Sequence, residues 1–537
     1  MDRWQRFDAI CRAMANPAIY PHPVRHVERR DTHISSVFLT GEWVYKLKKP
    51  VDLGFLDFRQ LEDRRFFCER EVRLNQRLSH GVYLEVIKIF GDEQGRFSLL
   101  GNGEVVEYAT KMRQLPDAAS LKELLGKNEI LQKHTRELGK ALAAFYERGD
   151  RSPQIDRYGH PDVIALNMEE NFSQLEVFVG DVLSHEKWEF LCQVSRSFLE
   201  HHQRLFNHRI ETGRICDGHG DLRADHIYFH NGLQIIDCIE FNDRFRYGDR
   251  AVDLAFLHMD MEHLGHAEHG RALLAAYVDE ADDPEIYALI DFYATYRALV
   301  RLKVTELHCG EVQQAEQQAL RAKAKRYVDQ AYQYAIQFSR PTLWVFCGLP
   351  ATGKSSLAEA LGGTLSISSF MSDRIRKESQ PDADQHIIPF GQGLYRPGMR
   401  QRVYTKLLAL VHETLKAGHS VILDATFSYR KWRDEVRRLS DDLDTNLVFV
   451  ECLCSEKTIR SRLKRRETTS SLSDARFEHF SRILEDFELI VELPPEIHLK
   501  VNTEQPLHRS LTEVLSKSYA SKCQQVRQLL LRDTTES

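Results

Sequence analysis

The sequence predicts two fold classes in one chain, an α+β first half followed by an α/β second half, and three observations predict them. From Ile34 to Met112, short apolar runs alternate with turn residues and only one stretch has helical spacing. From Leu121 to Phe206 the spacing becomes mostly helical. From Thr342 onward, apolar runs and helical stretches alternate, as in a doubly wound parallel sheet. With 537 residues, the chain is too long for one ordinary core.

The first half begins with a short helix and an extended lead-in over residues 1–30, broken by Pro17, Pro21 and Pro23. A hairpin follows, Ile34 to Lys49, with Thr40-Gly41-Glu42 as its turn. Phe58 to Leu78 has helical spacing, with Leu61, Phe67, Glu71, Leu74 and Leu78 near one face. Tyr83–Ile89, Phe97–Leu100 and Glu104–Met112 are expected strands of a small antiparallel sheet. The helical second lobe contains Asp217-Gly-His219-Gly-Asp221 and, after a hairpin turn at His230-Asn231-Gly232, Asp237-Cys-Ile-Glu240. The hairpin brings Asp221 and Asp237 to one mouth of the lobe. Phosphoryl transfer needs such a pair, one carboxylate for the proton of an acceptor hydroxyl and one for the metal bridging the phosphates.

The second half is expected from 342 to 505, after Ser339-Arg340-Pro341 ends a long exposed helix. Strands are expected at Thr342–Cys347, Thr364–Ser369, Ser420–Leu423, Asn446–Leu453 and Ile497–Val501. Between the first strand and a helix lies Gly348-Leu349-Pro350-Ala351-Thr352-Gly353-Lys354-Ser355, a complete G-x-x-x-x-G-K-[ST] loop. Its backbone N–H groups and the helix N-terminus make a cradle for polyphosphate. In such a loop Lys354 reaches the β/γ oxygens and Ser355 helps hold Mg²⁺. Asp424 ends a β-branched apolar strand at the edge that faces the ligand crevice, near that metal. Asp373 and Arg376 stand three residues apart at the start of a helix, and Arg462 and Arg466 one helical turn apart. Residues 506–537 are expected as a terminal helix with a frayed polar tail.

Composition bounds the rest. The chain is 42% hydrophobic and 28% charged, and its net charge of −6 does not favour nucleic acid as a partner, although an end-kinase activity stays open. The charged start Met1-Asp-Arg-Trp and the absence of a long apolar segment predict a cytoplasmic protein without a membrane partner. Ten cysteines without zinc spacing are expected as core thiols. Nothing in the pattern speaks to oligomeric state.

On these motifs, residues 31–338 resemble the aminoglycoside phosphotransferase branch of the bilobal protein-kinase-like fold. The resemblance implies that Asp221 is the catalytic aspartate and Asp237 the metal ligand. It further implies that Lys46 holds the α/β-phosphates with Glu71 as its helix partner, and that backbone groups around Glu107 and Ala109 meet adenine. Lys48 shares a strand face with Lys46, and Glu69 lies two residues from Glu71, so both remain alternatives. Asp253 resembles a buried aspartate that steadies the catalytic loop. His226 stands where the family has a metal-binding asparagine. An imidazole is a poor Mg²⁺ ligand, so either Asp225 supplies the oxygen, one metal is handled differently, or this half turns over little. Residues 342 to about 505 resemble small P-loop kinases of the polynucleotide-kinase, zeta-toxin and gluconate-kinase type. That resemblance implies Asp373 as acceptor-activating residue, Arg376 as acceptor contact, and Arg462 and Arg466 as lid arginines. The expected ligands are ATP or GTP, Mg²⁺ and a hydroxyl-bearing acceptor at each half.

Overall fold

The structure, a computed structural model, describes residues 2–101, 103–310, 312–378, 397–467 and 480–536. It divides into two compact units, residues 1–163 with 209–281 and residues 164–208 with 282–537. Both expected fold classes are present. The helices of 164–208 and 282–338 fall in the second unit, together with the parallel sheet.

The first unit carries a six-stranded antiparallel sheet of order β1-β2-β3-β6-β4-β5. Its strands are β1 (Glu28–Asp31), β2 (Ser35–Leu39), β3 (Trp43–Lys48), β4 (Tyr83–Gly91), β5 (Phe97–Ser98) and β6 (Glu104–Arg113). The lead-in is part of this layer. Helix α1 (Arg3–Met14) starts with a capping box, Asp2 and Gln5 satisfying each other's backbone N–H. Its buried face, Phe7, Ile10, Cys11 and Met14, packs with Phe38, Tyr45, Leu47 and Ile89 from the sheet. Each such side chain contributes roughly 1.5–3 kcal/mol by leaving water.

Helix α2 (Leu61–Asn75) is shorter than expected, and its buried face is Arg64, Cys68, Glu71, Leu74 and Asn75. Of the expected face, Glu71 and Leu74 are buried, while Arg64, Cys68 and Asn75 complete the inner face, because much of it is held by charge pairs and hydrogen bonds. The second layer of this unit supplies β7 (Ile215–Asp217), β8 (Ile227–Phe229), β9 (Leu233–Ile235) and β10 (Tyr247–Asp249). β8 and β9 form the expected hairpin, with Ile227 opposite Ile235.

In the second unit five strands, β11 (Thr342–Cys347), β12 (Ser368–Met371), β13 (Val421–Asp424), β14 (Asn446–Leu453) and β15 (His498–Asn502), make an all-parallel sheet of order β12-β13-β11-β14-β15. The near-continuous apolar runs follow from burial on both faces; Leu343, Val345, Val421, Leu423 and Phe449 belong to one core cluster. β12 begins later than expected. The helix Lys354–Leu365 runs through Gly362 and Gly363 and stops at Ser366, which is left-handed with φ 56°. The expected terminal helix is Leu507–Glu536, and its first turns are packed: Leu511, Val514, Leu515 and Tyr519 are buried, and Tyr519 lies 5.6 Å from the ring of Tyr287.

Among the described residues no cysteine forms a disulfide, and eight of the ten are buried. Among the described residues, no helix is long and apolar enough to cross a membrane.

Candidate functional sites

In the first unit, β3 and α2 set opposite charges against each other. Lys46 Nζ lies 2.8 Å from Glu71 Oε1 and 2.7 Å from Asp237 Oδ1. Of the two lysines and two glutamates left open by the sequence, the cleft takes Lys46 and Glu71; Glu69 is exposed and paired with Arg65. Lys48 is not idle, however. It stands two residues along the same strand face and is almost completely buried, where it bonds Glu71 Oε2 at 2.9 Å and also pairs with Glu240. Asp237, Lys46, Glu71, Lys48 and Glu240 thus form a continuous chain of alternating charge.

Burial works against each of these charges, and the neighbours decide the outcome. Burial opposes the charge of Lys46, but Asp237 and Glu71 more than offset it and hold the ammonium well above the ordinary lysine range. Burial likewise opposes the charge of Asp237, yet Lys46 keeps its carboxyl far below the usual carboxylate range. Glu240 is pushed up by burial, which Lys48 only partly counters. Asp237 is also left-handed, with φ 63°. For a residue with a Cβ this conformation is uncommon and persists where surroundings over-determine it. Here Lys46 holds its side chain and the Tyr83 hydroxyl accepts from its N–H at 3.2 Å.

The loop after β7 is fixed from behind. Asp253 Oδ2 accepts from His219 N at 2.7 Å and Oδ1 from Gly220 N at 2.9 Å, the buried bracing expected of it. Gly220 has φ 87°, and a Cβ there would stand 2.8 Å from Phe245 O. His219 is fully buried; its Nε2 donates to Ile236 O at 3.0 Å and its Nδ1 accepts from Asp221 N at 3.3 Å. Burial pushes this imidazole down to about 4.

Asp221, His226 and Asp237 converge, each offering a ligand atom within 4.8 Å of the others'. Asp225 does not supply the oxygen that His226 lacks: its carboxylate is turned to Lys122 and Arg223. Arg223 escaped the sequence reading although it is two residues from Asp221. It lies 3.2 Å from Asp221 Oδ1, 3.5 Å from Asp225 Oδ2 and 3.0 Å from His226 Nε2. Nothing in its spacing marked it, since a single arginine in a loop has no pattern.

Glu107 and Ala109 are a correction. They lie inside β6, between β3 and β4, with Ala109 opposite both Leu47 and Ile87, so their backbone groups belong to the sheet. The Glu107 carboxylate is buried against Arg64, 2.8 Å away. The chain leaves the sheet only after Arg113, and residues 114–119 are the segment that passes to the helical layer.

In the second unit, the loop from Gly348 to Ser355 joins β11 to its helix. Gly348 has φ 123°, and a Cβ there would meet Cys452 O at 2.8 Å. Carbonyls of the loop are engaged by side chains: Leu349 O accepts from Lys354 Nζ at 2.6 Å and from Thr352 Oγ1 at 2.8 Å. Thr352 O accepts from Thr503 Oγ1, a contact with the turn after β15 that no sequence signal announced. The first N–H groups of the helix have no intrahelical partner, which leaves them for an anion. Pro350 and Ala351 are buried and Ser355 is exposed. Asp424 ends β13 beside β11, and burial pushes its carboxyl up while Lys354 and the Ser355 hydroxyl pull it down. Burial lowers Lys354, with Asp424 acting against it.

One arginine differs from expectation. Arg462 donates to Thr503 O at 2.8 Å and to Ala351 O at 3.3 Å, so it fastens the loop to the turn after β15 instead of standing free over a phosphoryl group. Arg376 is paired with Asp373 at 2.6 Å, on the helix Ser372–Glu378. The Arg466 side chain lies outside the described residues.

With both geometries in view, the comparisons define the class. Residues 67–293 match the phosphotransferase enzyme family and residues 343–490 match an AAA domain. The chain joins a kinase-like phosphotransferase domain to a P-loop kinase domain, and that content supports a phosphotransferase. It belongs to the family of the uncharacterized protein Rv2004c of Mycobacterium tuberculosis, with 34% identity over 443 residues, 81% of this chain and 85% of that relative. Among solved structures it is similar to a gluconokinase from Sinorhizobium meliloti 1021, with 22% identity, TM-score 0.26, 36% of this chain and 97% of that one. It is also similar to a choline/ethanolamine kinase family protein from Mesorhizobium loti, with 14% identity, TM-score 0.36, 60% of this chain and 99% of that one.

Proposed function

We propose that the protein is a bifunctional ATP-dependent phosphotransferase, each unit transferring a γ-phosphoryl group to a hydroxyl of a small-molecule or nucleotide-like acceptor. The observation that carries this reading is the convergence of Lys46, Asp221 and Asp237, from three separate segments, in one cleft. Asp221 accepts or orients the acceptor proton, and Lys46 holds the α/β-phosphates. The oxygen donors of Asp221 and Asp237 fit a divalent cation such as Mg²⁺, which when bound neutralises charge on the phosphates. In the second unit, the N–H groups of Gly348–Ser355 and Lys354 hold the triphosphate, Ser355 and Asp424 serve the metal, Asp373 faces the acceptor hydroxyl and Arg376 its anionic group.

The Arg223 contact to His226 favours a second reading: a first unit that binds nucleotide, transfers little, and regulates a nucleic-acid end kinase or toxin-like P-loop kinase. γ-Labelled ATP with pooled hydroxyl acceptors separates the two. Under the bifunctional reading, Asp221→Asn and Lys354→Ala each abolish labelling of a different acceptor. If Asp221→Asn leaves every labelled product in place, the regulatory reading replaces it.

A further inference from the structure

The residue that departs from the family pattern, His226, brings a ring nitrogen to the cluster with Asp221 and Asp237. His226 Nδ1 lies 2.8 Å from Asp221 O, and a carbonyl can only accept, so the proton is on Nδ1 and the Nε2 lone pair is free of one. Nε2 stands 3.5 Å from Asp237 Oδ2. A ring nitrogen fixed by donating its other N–H to a backbone carbonyl is the arrangement that orients metal-bound histidines. Two donors about 2.1 Å from one ion are separated by at most about 4.2 Å. Nε2 and Asp237 Oδ2 already fall inside that span, and the donors of the three residues lie within 4.8 Å of one another, with Nδ1 3.6 Å from Asp221 Oδ2.

We infer that Asp221, His226 and Asp237 form a mixed oxygen–nitrogen site that takes a first-row transition dication, Mn²⁺ or a later member of the series, in preference to Mg²⁺. The chemistry of the donor set decides this. Mg²⁺ binds through oxygen and keeps its waters, whereas imidazole suits the transition metals, whose affinity rises from Mn²⁺ onward. A preference already visible with Mn²⁺ is thus the minimum for its successors. Arg223 now donates to Nε2 at 3.0 Å, and an incoming dication displaces it. The guanidinium is not left unpaired, because Asp221 and Asp225 remain within 3.2 and 3.5 Å. This inference rests on reading the first unit as a nucleotide site, and its test is separable from that reading.

The probe is Mn²⁺ with inorganic tripolyphosphate, which contains no nitrogen, added to the full chain. Pulsed electron paramagnetic resonance then shows ¹⁴N coupling only if an imidazole binds the ion. Coupling is expected in the wild type and absent in His226→Asn, with folding of the variant checked by circular dichroism. Competition dialysis is expected to give at least about a tenfold preference for Mn²⁺ over Mg²⁺ that falls to near parity in His226→Asn. Asp237→Asn should weaken both ions together. Absence of nitrogen coupling in the wild type, absence of bound Mn²⁺, or an unchanged preference in His226→Asn overturns the inference. The nucleotide reading fails on a different result: Lys46→Ala leaving ATP affinity unchanged in a Lys354→Ala background.

Discussion

The two sites gather charge by different routes. In the second unit the cradle is eight consecutive residues, its donors are backbone N–H groups, and its neighbours Thr503 and Arg462 serve to pin carbonyls out of the way. In the first unit the cradle is made of side chains, and Lys46 meets a partner 191 residues away. A backbone cradle exists as soon as the loop is formed. A side-chain cradle must keep each buried charge matched while no ligand is present, and the alternating chain from Asp237 to Glu240 is that matching. The comparison implies that the first site is tied to the stability of its unit, and the second much less so.

Substitutions at the reacting groups should show the largest effects and should be confined to one unit each. Asp221→Asn is expected to lower turnover of the first unit by about 10²–10⁴-fold. Lys354→Ala is expected to lower that of the second by about 10²–10³-fold, by analogy with the loss of one preorganised charge-stabilising donor. Each is measured by single-turnover transfer with the other site intact, and cross-effects would break the contrast drawn above.

Next in size is Glu240→Gln. It removes one of the two carboxylates that face buried Lys48 and leaves Glu71 shared between two lysines, and breaking a buried pair costs about 3–5 kcal/mol. Urea denaturation should show this loss in the first unit, while Lys48→Met combined with Glu240→Gln recovers part of it. A loss below about 1 kcal/mol would mean that the deeper pair is not needed to hold the shallower one.

A pH dependence of similar origin should follow from His219. Its ordinary value is 6.5 and burial pushes it down to about 4, so between those values the unfolded chain binds a proton that the folded chain refuses. Its contribution is complete above pH 6.5 and is lost as pH falls toward about 4, on the order of 3 kcal/mol at about 1.4 kcal/mol per unit. His219→Asn should flatten the stability slope in that window; an unchanged slope would assign it to other groups. The smallest expected effect is Thr503→Val, which removes the hydroxyl bonded to Thr352 O and within reach of Leu453 O and Arg462, at about 0.5–1.5 kcal/mol per hydrogen bond lost, read as a several-fold weaker ATP affinity of the second unit.

How much of this was legible depended on sequence distance. Gly348–Ser355 and the hairpin carrying Asp221 and Asp237 were readable because spacing alone forms them. Lys46 and Glu71 were readable only as one of several pairings, since two lysines on a strand face and two nearby glutamates look alike until the helix is docked. Glu107 and Ala109 were assigned to the interlobe passage by the resemblance, although the same stretch is expected as a strand; ladder pairing keeps both inside it. Arg462 showed one helix face and a positive charge, which fits a mobile lid and a fastened clamp equally well.

By itself the sequence determined the two fold classes, the phosphate loop and the two aspartates of the hairpin, because these follow from local periodicity and contiguous motifs. Tertiary structure alone decided that Lys48 and Glu240 extend the ion-pair chain inward, that Arg223 sits on His226, and that Thr503 and Arg462 hold the loop. Each of those contacts joins groups whose charge or hydrogen-bonding capacity has many candidate partners, and only docking of the elements selects one.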